Sequence, residues 1–168
     1  IVTLAIFLFF SGWLHSRTAS AQMRAGTGKS NITAECGDVH DSLYVKALVI
    51  ETKNTRIAII TMDVIAIGTI GDIPDDFLQK VRKRLQDEMN IDGKNVVINA
   101  SHNHLDGFLN GGGKISGDVE GLTLLAVKKA LMNMERVKVG AGSGFENRFA
   151  MNRRIRLTNG EVFTIRHA

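Results

Sequence analysis

The sequence predicts an α/β fold: a mixed sheet, or sheets, with flanking helices. Three observations predict it. Short, β-branched apolar runs occur at 44–51, 56–63 and 95–100. Two stretches, 72–90 and 118–134, carry the spacing of amphipathic helices. The two kinds of segment also interleave along the chain, as they do in layered α/β domains.

Each element has its own local signal. Tyr44–Glu51 and Arg56–Asp63 are separated by Thr52-Lys53-Asn54-Thr55, which reads as a hairpin of two buried strands. The first helix is expected to be capped by Asp72, with Pro74, Asp75 and Asp76 in its first turn. Ile73, Phe77, Val81, Leu85 and Met89 then recur every four residues, until Asn90 and Asp92-Gly93 end the pattern. Asn95–Ala100 is a further buried strand that runs into Ser101-His102-Asn103-His104. A loop with Gly107, Gly111-Gly112-Gly113 and Gly117 follows. The second helix places Val119, Leu122, Leu125, Ala126, Ala130 and Leu131 on one side. Residues 136–143, 147–157 and 161–167 alternate weakly and read as strands.

Composition excludes several classes. With 44% hydrophobic and 23% charged residues in 168, the chain is neither disordered nor collagen-like. Its single cysteine, Cys36, rules out a disulfide within the chain and leaves no pair for a zinc ribbon. The net charge is only +4, and the densest basic run, Lys80-Val81-Arg82-Lys83-Arg84, falls on the first helix. No stacking aromatics interleave it, so it reads as a solvated face and no nucleic-acid partner is expected.

The amino-terminal segment has the last two parts of a secretory signal. An apolar stretch from Ile1 to Leu14 precedes Ala19-Ser20-Ala21, small residues of the kind a signal peptidase reads. Residues 1–21 are therefore expected to be a signal peptide lacking its basic start, and the mature protein, secreted or periplasmic, to begin at Gln22. An uncleaved membrane anchor is the alternative. At the other end, Glu161–Arg166 alternates like a strand and then stops at Ala168. The chain is thus expected to be a fragment of a longer one.

Among the motifs, Gly26-Thr27-Gly28-Lys29-Ser30 imitates a phosphate loop. That pattern needs a glycine where Met23 stands and a buried strand before it, so nucleotide binding is not expected. Two glycosylation sequons occur, at Asn31-Ile32-Thr33 and Asn99-Ala100-Ser101, the second inside an apolar strand. The informative segment is His102-Asn103-His104-Leu105-Asp106-Gly107. Histidines at i and i+2 of an extended chain share a face about 6–7 Å apart. Both could converge on one metal, or one could hold the metal while the other meets substrate. The pair sits where a strand gives out into a loop, the place where open α/β sheets bind ligands. Asp63 ends another apolar strand; it could orient a ligand histidine through its second ring nitrogen, or cap the following turn.

Four stretches together carry a family resemblance: Gly26-x-Gly-Lys-x-Asn-Ile-Thr33, His40-Asp-x-Leu-Tyr-Val-Lys-Ala-Leu-Val-Ile50, Thr61-Met-Asp-Val64 and Asn99-Ala-Ser-His-Asn-His104. Over residues 26–157 the chain resembles the amino-terminal part of the neutral/alkaline non-lysosomal ceramidases, and especially their short bacterial relatives. The resemblance implies a zinc-dependent amide hydrolase in which zinc-activated water releases a fatty acid from a ceramide-like lipid. It also implies that residues 22–168 are the amino-terminal portion of a ceramidase-like catalytic domain, an incomplete fragment of a larger layered α/β hydrolase domain. It implies His102 as a zinc ligand, His104 beside the metal as a catalytic residue, and a site arginine at Arg153 or else Arg148 that stabilises the oxyanion. The family's other ligands (a second His, a Glu and a Tyr) and its active-site Ser match nothing in this chain. A small-molecule or lipid amide substrate and peripheral membrane contact are the partners implied.

The family usually continues His-x-His with Ser-Gly-Pro, where this chain has Leu105-Asp106-Gly107. Two alternatives therefore stand beside it. The metallo-β-lactamase fold also uses His-x-His-x-Asp, but it needs a histidine where Gly107 stands. A non-catalytic secreted or envelope binding protein on a degenerate hydrolase scaffold is the other.

Overall fold

The computed structural model describes residues 23–34, 41–103, 115–148 and 152–165. It forms two compact units, divided after Val137.

The first unit is built on a five-stranded mixed sheet: β1 (Arg24–Asn31), β2 (Tyr44–Glu51), β3 (Arg56–Met62), β4 (Val96–Ala100) and β5 (Glu135–Arg136), in the order β4-β3-β2-β1-β5. The hairpin expected from the sequence is β2–β3, paired antiparallel from Val45 with Met62 to Glu51 with Arg56. β3 and β4 run parallel, joined through α1 (Phe77–Met89), which makes the sheet mixed as expected. α1 buries Phe77, Val81 and Leu85, which recur every four residues, and the last two are fully buried. Its solvated side carries the i,i+4 pairs Lys80–Asp76, Lys83–Asp87 and Arg84–Glu88, each a small contribution at the surface. These carboxylates hold the Lys80, Lys83 and Arg84 pKa values above their ordinary ranges. The helix ends at Asn90, whose left-handed φ of 53° closes the last turn.

Three expectations need correction. Asp72 does not cap α1: the helix starts at Phe77 behind Asp76, because residues 63–73 are spent in an irregular loop after β3. The stretch expected as a strand over 136–143 enters the sheet only at Arg136, the second residue of β5, and Val137 N adds one last bond to Met23 O at 3.0 Å. Residues 24–31, not assigned to any element by the sequence, are β1, a full strand between β2 and β5.

The glycines that imitate a phosphate loop explain that strand. α2 (Val119–Met132), capped by Asp118 accepting from Gly121 N, lies directly on β1. A Cβ at Gly26 would stand 2.1 Å from the Ala130 carbonyl oxygen, and one at Gly28 2.2 Å from that of Ala126. Helix and strand backbones meet where no side chain fits. The core therefore lies on one sheet face, where Val45, Val49, Ile60 and Met62 pack with Val81, Leu85 and Val127.

The second unit is smaller. β6 (Arg154–Arg156) and β7 (Val162–Thr164) pair antiparallel through a turn closed by Gly160 N donating to the Leu157 carbonyl at 3.0 Å. Among the described residues, the strands expected over 147–157 and 161–167 form at these three-residue cores; 149–151 and 166–167 lie outside the described residues. No described residue of this unit is buried, so nothing rewards longer pairing.

Candidate functional site

Three chain segments converge at the carboxyl end of the parallel pair β3–β4. The ladder continues past both strands: Ser101 N donates to Met62 O at 2.9 Å and Asn103 N to Val64 O at 3.1 Å. His102 stands between these two anchors with φ +59°, a left-handed conformation uncommon for a residue with a side chain. The extended backbone expected around His102 is therefore broken at His102 itself. His104, Asp106 and the glycines at 107 and 111–113 lie outside the described residues.

The His102 ring is tied back to the loop that follows β3. Its Nδ1 lies 2.8 Å from the carbonyl oxygen of Ile65. A carbonyl can only accept, so Nδ1 carries the proton, and in the neutral ring Nε2 carries the lone pair. That is the arrangement by which proteins fix a ligand histidine.

The partner of Nδ1 is thus a backbone carbonyl, and the carboxylate of Asp63 is engaged elsewhere. It accepts from Tyr44 N at 3.1 Å and from Lys46 Nζ at 3.1 and 3.2 Å, with Ser101 Oγ at 3.5 Å. Asp63 therefore ties β2, through Tyr44 and Lys46, to the residue that precedes His102. Beside it, Thr61 Oγ1 donates to Asn99 Oδ1 at 3.2 Å across the parallel strands. The sequence reading missed Lys46 and Ser101. Lys46 had a signal, being one cation inside an apolar strand at the register of Thr61. The Ile65 carbonyl had none, because a backbone acceptor leaves no mark in side-chain identity.

The two arginines belong to the second unit and differ in their engagement. Arg148 is gripped by Glu146, with its Nε 2.9 and 3.0 Å from the two carboxylate oxygens. The pairing raises the Arg148 pKa and holds the Glu146 carboxyl below the usual range. Arg153 is exposed and makes no ion pair among the described residues. Also among the described residues, no three His, Cys, Asp or Glu side chains stand close enough to hold a metal ion.

No protein-family model and no curated protein matches the chain. Solved structures do. A neutral ceramidase from Pseudomonas aeruginosa superposes with a TM-score of 0.54 over 69% of this chain, at 20% sequence identity. A ceramidase complexed with C2 gives the same values. The fold is ceramidase-like. This chain spans 22% of the length of either structure.

Proposed function

We propose that this chain carries part of the active site of a zinc-dependent amide hydrolase, acting on the N-acyl bond of a ceramide-like lipid. The observation that carries the reading is His102. Its Nδ1 proton is committed to the Ile65 carbonyl, so in the neutral ring the lone pair a metal would need is on Nε2, and its backbone is held at φ +59° at a strand end. Backbone outliers of this kind cluster at functional sites. The ceramidase-like fold supports the choice of an amide substrate.

In this reading His102 ligates zinc and His104 meets the substrate beside it. Arg153 stabilises the oxyanion; Arg148 is the weaker choice because Glu146 already occupies its guanidinium. Asp63 positions the His102 turn by holding Ser101 and Lys46. Zinc, when bound, polarises the amide carbonyl and makes a water molecule reactive near neutral pH. A catalytic zinc site takes three protein ligands, and His102 suits one of them, so the others come from outside the described residues. The same reading makes the protein exported, with residues 1–21 removed as a signal.

Zinc content and amide turnover of the full protein test the assignment. His102→Ala should lose both zinc and turnover. His104→Ala should keep most of the zinc while losing about 10²–10⁴-fold in turnover, the range of a lost acid–base group. Stoichiometric zinc in His102→Ala would remove the basis of the reading.

A further inference from the structure

A groove on the sheet unit borders the proposed site, with Lys46 and Thr61 in its lining, and extends away from it. It has a volume of about 850 Å³ and runs along β1 onto the sheet face opposite the core; small-molecule pockets span roughly 300–1,000 Å³. Its floor is apolar: Leu48 and Ile59 face each other across β2 and β3, and Met132, 77% exposed, forms a wall.

The rim is cationic. Lys46 is neutralised by Asp63 at 3.1 Å. Lys29 Nζ sits 4.5 Å from the centroid of the Tyr44 ring, and Lys129 Nζ donates to the Lys29 carbonyl at 3.1 Å. Among the described residues neither Lys29 nor Lys129 meets a carboxylate, so two ammonium charges stand uncompensated beside an apolar floor.

Two other occupants fit poorly. An added β-strand would need the outer edge of β1, but the Thr27 and Lys29 carbonyls there already accept from Asn133 Nδ2 and Lys129 Nζ. A second copy of the chain would bring like charges together at the rim.

We propose that this groove binds a single-chain anionic amphiphile from solution, with its alkyl chain on Leu48, Ile59 and Met132 and its head group held by Lys29 and Lys129. The site does not depend on zinc or on His102, so it stands or falls separately from the proposed hydrolase.

The test is titration of the full protein with dodecanoate below its micellar concentration, with dodecanol and dodecyltrimethylammonium alongside. Saturable one-to-one binding of dodecanoate is expected, at least tenfold tighter than either comparison ligand and weakened by salt. Lys29→Gln should weaken it several-fold, and Lys29→Gln with Lys129→Gln more than tenfold, with the circular dichroism spectrum unchanged. Met132→Glu, a charge on an exposed wall, provides an independent variant and should weaken binding similarly. Equal affinity for the cationic amphiphile would overturn the proposal. So would binding unchanged in the lysine variants, binding only to anionic vesicles, or a dimer by sedimentation that dodecanoate does not dissociate.

Discussion

β2–β3 and β6–β7 are both antiparallel hairpins with short turns. In β2–β3 the ladder runs from Val45–Met62 to Glu51–Arg56, and Val45, Val49 and Ile60 are fully buried. In β6–β7 it runs only from Arg154–Thr164 to Arg156–Val162, and Ile155 and Phe163, paired with each other, are 37% and 58% exposed. Both sequences alternate and both have a competent turn, so neither propensity nor turn chemistry separates them. Cover separates them. β2–β3 has helices over one face and a parallel neighbour beside β3, while among the described residues of its own unit β6–β7 has nothing to bury its apolar residues against. A two-stranded ribbon on its own is marginal in water, and a third strand or a helix is what makes pairing extend.

The sharpest way to break the comparison is to remove the same kind of contact from each hairpin. Ile60→Ala deletes a fully buried side chain beneath the helices and should destabilise the protein by about 2–5 kcal/mol in denaturant unfolding. Phe163→Ala deletes a larger side chain from the uncovered hairpin and should stay within about 0.5 kcal/mol. Comparable losses would mean that cover is not what distinguishes them.

The next effect tests the cover itself. Gly28→Val places a branched side chain where a Cβ would already meet the Ala126 carbonyl at 2.2 Å, between β1 and α2. The helix must move, and a loss of about 1–3 kcal/mol is expected for such overpacking. Thermal unfolding measures it, and an unshifted midpoint would show that α2 is not seated on β1 as described.

The same contrast explains what was legible in the sequence. Residues 44–51, 56–62, 77–89 and 96–100 were readable because each buries one face, and burial imposes a period on apolar residues. For 119–132 the helix was readable but its face was not: Leu125, expected on the buried side, is exposed, while Thr123, Leu124 and Val127 are buried. β1 was not readable, since its core-facing positions are Gly26, Gly28 and Ser30, and a strand that packs by lacking side chains has no apolar period. Of the candidate site, His102 and Asp63 were visible as polar residues at the ends of apolar strands. Their partners were not: pairing of His102 with Ile65 and of Asp63 with Tyr44 depends on backbone atoms, which every residue has. The left-handed turn at His102 was equally hidden, because its residue type does not call for it.

The smallest effect concerns the turn that holds the second hairpin together. Leu157 N donates to Glu161 O at 2.8 Å and Gly160 N to Leu157 O at 3.0 Å, so Gly160 is the residue that brings the chain back into the ladder. It does so at φ +88°, a conformation open to glycine and disfavoured once a Cβ is present. There is no clash to complicate the substitution, because nothing lies within 4 Å of a Cβ built there. The expected cost of Gly160→Ala is therefore backbone strain alone, about 1–2 kcal/mol. In a buried hairpin that would be a modest fraction of the pairing energy. Here the pairing has no burial to draw on, so the same loss should open β6–β7. Amide exchange at Leu157 and Ile165, the donors that flank the three-residue ladder, should become about tenfold faster, the factor that 1.4 kcal/mol corresponds to. Unchanged protection at both amides would mean that something besides its own turn holds this hairpin, and the contrast with β2–β3 would have to be redrawn.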